Sequence, residues 1–496
     1  MSPKARAWLT ACLVLLAGLS FTWGLPTAYD LNPDDEGLYL WRGLMWAAGQ
    51  QPLERTWGPL YSAWYAGLAQ VWLPEQAYYV NLYITTLLPP AVLAVAVVRR
   101  TRRVAWGLLA GLGFLISTAN HGDWRVGHFA LVLAAAAWAW LPRASAGGWP
   151  WLVQAVLAWL ASYVRPEFAL TALLLAAAAA WAARPTPARP GDKRLWAGLL
   201  AFGLVAVFTH PWRDPQGRLW AAFGQHFAVR WRAHTHQSFN PYHDWPQVLE
   251  EVFGPVHSLP DAARARPDIF AWFVIRNGRG WVKAVLQGLT PYPWRHAWPL
   301  WGALWGALWG VALWRARQKH HLGRDLAALA LWALPGVLSS WIIYPRPHYQ
   351  VIPLAAGWAA LALALAAAGP VAQHHRRLRG ALPAAILLAA LLVPRPYTQP
   401  QPRPRYATVR ALRAALPNDD PQPTAWLAQS HFARLYLADQ VRFTATPPSR
   451  APALVHPWPL PPEVPQTAAW LAALYQGPYQ TLHLPDGSGW RVRAGP

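Results

Sequence analysis

The chain has 496 residues and a formal charge of +22, yet 55% of it is hydrophobic and only 13% charged, which is too apolar for a soluble protein of this length. The composition fits several membrane spans joined by wetter loops. The arginines stand in short clusters between apolar stretches with no basic domain or aromatic RNA-binding signature, which argues against a nucleic-acid partner and makes the charge a topology signal.

Residues 8–23 follow Lys4 and Arg6 and are long enough, with their flanks, to span a bilayer, which places the N-terminus inside. A cleaved signal peptide is the rival reading, with Thr27-Ala28 as a poor cleavage site; either way the next segment emerges outside. The single cysteine, Cys12, lies in this apolar run and forms no intrachain disulfide. Residues 30–61 then hold Asp30, Asp34, Asp35, Glu36 and Glu54 out of only 21 acids, and are taken as the active-site loop. Residues 58–72, bounded by Pro59 and Pro74, are read as a helix lying in the interface.

Residues 78–98 span inward and end at Arg99, Arg100, Arg102 and Arg103. Further spans are expected at 104–118, 126–141, 151–164, 168–183, 195–209, 298–314, 326–343, 350–368 and 381–393, about eleven in all, with the basic clusters of all short loops inside. Of the acids, only Asp192 and Asp325 then face the cytoplasm. In residues 301–310 a four-residue repeat puts Gly302, Gly306 and Gly310 on one helix stripe, where a neighbouring helix can approach closely. Residues 211–297 are too long for a plain connection and should contain helices, such as 268–287. His234, His236, His243 and Asp244 within it are read as solvated loop residues, because no second motif of fixed spacing supports a metal site.

The expected organisation is an all-α polytopic membrane domain, residues 1–394, including outer loops 26–74 and 211–297. A Pro-rich linker, 395–404, leads to a small extracytoplasmic α/β domain, 405–496. In that tail, 408–416 and 468–475 read as helices, 424–429 and 441–445 as strands, and 479–484 with 489–494 as a hairpin about Asp486-Gly487. It lacks a Gly-rich phosphate loop or nucleophile motif, so an accessory role is expected.

Asp35-Glu36 shortly after the first span, Tyr39 three residues on, and Trp57-Gly58-Pro59-Leu60-Tyr61 resemble the GT-C superfamily of membrane glycosyltransferases. The nearest branch is glycosyltransferase family 39, the protein mannosyltransferase and aminoarabinose transferase group. The layout is similar too: interfacial helices in the first loop, Asp123 in the second outer loop, Arg346-Pro347-His348-Tyr349 before a late span, and a C-terminal outer domain. The resemblance implies transfer of a sugar, with inversion, from a polyprenyl-phosphate donor to a glycan, lipid or protein acceptor on the outer face of the cytoplasmic membrane. It also implies that Asp123 binds a divalent metal or the carrier, since some relatives need a metal and others do not. Where the aminoarabinose branch has Lys-Pro-Pro, this chain has Trp57-Gly58-Pro59, so that lysine is absent and that substrate is not implied.

The residues make chemical sense of such a transfer. A hydroxyl acceptor needs a carboxylate to take its proton as it attacks the anomeric carbon, for which Asp35 is the candidate, with Asp34 and Glu36 beside it. The departing lipid phosphate needs cationic donors, for which Arg346, His348, Arg165 and Tyr349 are the candidates. Each has a plainer reading: the acids as a helix start favoured by the dipole, Asp123 as an ion-paired loop residue, and Arg165 and Arg346 as anchors for ordinary headgroups. The rivals from other classes are a flippase for a lipid-linked saccharide, which should show internal repeats, and a non-enzymatic scaffold.

Overall fold

The computed structural model describes the chain except for residues 54–57, 123–124, 140–146, 185–191, 210–217, 317–319, 368–375, 417–423, 428–431, 439, 445–453, 457–478 and 494–496. The expected helix at 468–475 lies outside the described residues. The rest is mostly helical with one small C-terminal sheet. Four helices are long and apolar enough to cross a membrane: Pro3–Phe21, Pro74–Thr101, Leu322–Ile342 and His348–Ala367. Shorter apolar helices are Val104–Ile116, Val126–Trp138, Phe168–Ala183 and Ala381–Leu391. Prolines stand inside several of these, among them Pro89, Pro90, Pro335, Pro353 and Pro383. Such prolines are tolerated in spanning helices because neighbours re-satisfy the freed backbone groups.

The chain divides into two compact units, residues 1–22 with 85–396 and residues 23–84 with 397–496. The loop after the first span, expected within residues 1–394, groups by compactness with the C-terminal part. The cause is hydrogen bonding across more than 300 residues of sequence. The Asp30 carboxylate accepts from the backbone N–H groups of Arg405 (2.8 Å) and Tyr406 (2.9 Å) at the start of helix Pro404–Ala415, where it satisfies otherwise orphaned donors. Tyr436 donates to the Asn32 carbonyl at 2.7 Å, and Arg413 pairs with the fully buried Glu75 at 3.1 Å.

In the unit containing residues 85–396, Val14, Ala94, Leu108, Leu112 and Leu115 close a core between apolar helices. The long wet stretch forms helices Arg218–Thr235, Trp245–Phe253, Leu259–Ala265 and Pro267–Leu289, the last close to expectation. These pack around an aromatic core of their own, Phe223, Phe227, Phe253 and Phe273. The glycine stripe of helix Trp298–Ala316 needs correction. A Cβ on Gly302 would stand 3.0 Å from Leu286, but a Cβ on Gly306 or Gly310 would meet nothing described within 4 Å beyond its own helix.

In the other unit, strands β1 (Thr424–Leu427), β2 (Arg442–Thr444), β3 (Leu454–His456), β4 (Tyr479–His483) and β5 (Gly489–Arg493) form one sheet in the order β2-β1-β3-β5-β4. β1 pairs in parallel with β2 and β3, while β5 is antiparallel to β3 and β4. The β4–β5 turn is the expected one: Gly487 takes φ +84° and Asp486 accepts from the Ser488 N–H at 2.9 Å. β3 was not expected, since three residues between Pro452 and Pro457 carry no readable alternation.

Candidate functional site

The acidic triplet opens a helix. Asp34 is the N-cap of Asp35–Ala47, with its carbonyl accepting from the Leu38 N–H at 3.0 Å, and Asp35 and Glu36 occupy the first turn. Carboxylates are favoured there by the positive end of the helix dipole, so the plainer reading is geometrically correct for all three. It does not make them equivalent. Asp34 is exposed, Asp35 is half-buried and Glu36 is 1% exposed.

Glu36 sits in a network whose protons can be counted. The Tyr61 and Tyr65 hydroxyls both donate to Glu36 Oε1, the latter at 2.6 Å. The indole N–H of Trp64 donates to Asn81 Oδ1 at 2.9 Å, and since that indole can only donate, the Asn81 amide nitrogen must face the tyrosines. It reaches their hydroxyls at 2.7 and 2.8 Å, so each phenol accepts from Asn81 and donates its own hydrogen bond to the carboxylate. Burial, followed by the Glu36 charge, pushes both phenols above the usual tyrosine range, which keeps them as donors.

The Trp57-Gly58-Pro59-Leu60-Tyr61 motif acquires a cause, although Trp57 itself lies outside the described residues. Gly58 takes φ +64° as the N-cap of helix Pro59–Ala69, a left-handed conformation that favours glycine, and Pro59 fits the first helical position. The helix then brings Tyr61 and Tyr65, one turn apart, onto Glu36. Tyr39 packs edge-on against Tyr61 at 5.2 Å between ring centroids.

The cationic candidates belong to the other unit and fall into two groups. Arg165 is buried, pairs with Glu167 at 2.5 Å and lies over the Tyr349 ring at 4.5 Å. It lines a cavity of about 10 Å³ with Glu167, Gly127, Gly336, His348 and Tyr349. That is room for one water, not for a phosphate. Two glycines permit this packing: a Cβ on Gly127 would stand 2.7 Å from the His348 carbonyl oxygen, and one on Gly336 would meet the Tyr349 carbonyl.

Arg346 belongs to a second group that sequence reading missed. Its N–H donates to the Tyr344 carbonyl at 2.8 Å. His226 stacks on the Tyr344 ring at 5.2 Å and Arg230 lies over it at 4.6 Å. Burial, then the charges of Arg346 and Arg230, push the His226 pKa down to about 3. His226 and Arg230 thus lie against one ring, with the charge of Arg346 near enough to help keep His226 neutral. The only available signal was a basic, amphipathic run at 226–234, which does not say that it faces Tyr344.

Asp123 lies outside the described residues. Among the described residues no three His, Cys, Asp or Glu side chains group as metal ligands. Its neighbour His121 is buried, donates from Nε2 to the Leu115 carbonyl (3.0 Å), and is pushed down to about 3 by burial and by Arg125. Comparison with protein-family models and with curated proteins finds no match to this sequence.

Proposed function

We propose that this protein is a polytopic membrane glycosyltransferase of GT-C type that moves a sugar, with inversion, from a polyprenyl-phosphate donor to an acceptor on the outer face of the cytoplasmic membrane. The reading includes about eleven spans, an inside N-terminus and an outside C-terminal part. It is supported above all by one observation: a half-buried carboxylate, Asp35, opens the second long helix of the chain and stands next to a buried, hydrogen-bonded partner, Glu36.

In this reading the acceptor hydroxyl attacks the anomeric carbon as its proton passes to Asp35. The new C–O bond forms on one face, the bond to the carrier phosphate breaks on the other, and the electron pair leaves with that phosphate. Glu36 is a positioning residue that fixes the helix start; Asp34, exposed, is the less favoured base. Cationic side chains, Arg346 first among them, are assigned to the departing phosphate, since forked donors stabilise such charge. Arg165, His348 and Tyr349 hold the segment that carries Arg346.

Purified protein supplied with a panel of polyprenyl-phosphate sugars should release free carrier phosphate and add a sugar mass to an acceptor, read by mass spectrometry. Transfer of the lipid-linked sugar across vesicles with no glycosyl product would replace this reading by a flippase.

A further inference from the structure

A second cavity, of about 330 Å³, lies in the unit containing residues 85–396 and is used by nothing above. Its lining combines Arg100, Thr101 and Arg103 with Asp325 and an apolar wall of Leu322, Leu363, Ala366 and Ala367. Its volume is that of a small-molecule site. The arginines come from the end of helix Pro74–Thr101 and the turn after it, the apolar residues from helices His320–Ile342 and Pro347–Ala367.

The polar side of this cavity is organised. Asp325 is 2% exposed and accepts from Arg100 Nε at 2.7 Å, which uses one edge of the guanidinium and fixes its direction. The terminal nitrogens of Arg100 make no hydrogen bond with a described residue, and Arg103 makes no ion pair with a described carboxylate. Arg103 is held by a tight turn: Arg102 takes the left-handed φ of +58° and its carbonyl accepts from Arg6 at 2.8 Å. Two cations against one carboxylate leave the lining net positive. A phosphate accepts well from forked guanidinium donors, and the apolar wall suits what is esterified to it.

We infer that this cavity binds the phosphodiester headgroup of an anionic phospholipid, with Arg100 and Arg103 on the phosphate and Leu322, Leu363 and Ala366 against the glycerol and upper acyl chain. The position, beside an Arg-rich cluster at the end of an apolar helix, is where basic pockets recognise such headgroups. The inference rests on the membrane reading and is independent of glycosyl transfer.

The test uses delipidated full-length protein in detergent, titrated with phosphatidylglycerol or phosphatidylcholine, with bound lipid counted by native mass spectrometry. Arg103→Gln should weaken phosphatidylglycerol binding about fivefold, and Arg100→Gln/Asp325→Asn, which removes the pair without leaving a buried charge, by a similar factor. Phosphatidylcholine binding and the Arg184→Gln control should be unchanged. Unaltered phosphatidylglycerol binding in Arg103→Gln overturns the inference even if the double variant fails to fold. Complete displacement of phosphatidylglycerol by millimolar inorganic phosphate would overturn it in favour of a soluble anion.

Discussion

Neighbouring carboxylates one residue apart should respond to neutralisation in opposite ways. Glu36→Gln keeps the side-chain shape but converts the hydrogen bonds on Oε1 from charge-assisted to neutral ones, about half as strong. With charge-assisted bonds worth roughly 1.5–3 kcal/mol each, the loss over the Tyr61 and Tyr65 donors comes to about 1.5–3 kcal/mol. For a unit of this size that lowers the apparent melting temperature by about 3–12 °C. Asp35→Asn removes only a half-exposed charge at a helix N-terminus, about 0.3–1 kcal/mol, so its melting should shift by less than about 4 °C. Activity should follow the other order, with transfer abolished in Asp35→Asn and partly retained in Glu36→Gln at a temperature where it is folded. The assay pairs thermal unfolding in detergent with sugar turnover on the same preparations. Wild-type turnover in Asp35→Asn would reject that residue as base; wild-type melting of Glu36→Gln would reject the charged network.

Further outcomes follow from single contacts. Gly127→Ala should displace the His348 backbone and cost about 1–3 kcal/mol, with loss of turnover exceeding loss of folded protein, checked by unfolding and activity together. Arg413→Met strands the buried Glu75 carboxylate and should cost about 3–5 kcal/mol, most of it restored by adding Glu75→Gln in a double-mutant cycle. His226 titrates near 3 when folded against 6.5 in the open chain, so its neutral form is favoured and its contribution is complete above pH 6.5 and lost as pH falls toward 3. At pH 5.5 that loss is about 1.4 kcal/mol. His226→Gln should therefore flatten the acid limb of a melting-temperature profile, and an unchanged limb would contradict the burial of a neutral histidine there.

Local chemistry carries far in this chain. Apolar runs bounded by arginines, Gly58-Pro59 at a helix start, the Asp486-Gly487 turn and the acidic triplet opening a helix are all legible because each depends on neighbours within a few residues. Composition alone likewise dictates helices apolar enough to enter a bilayer. Only the folded chain separates Asp34, Asp35 and Glu36 by burial, because Tyr61, Tyr65 and Asn81 arrive from 25 to 45 residues away. The same holds for Asp30 on the amides of Arg405 and Tyr406, and for Arg230 and His226 around Tyr344. Such pairings carry no period or spacing in the sequence, since hydrogen bonds and ring contacts are satisfied by whatever packing brings near.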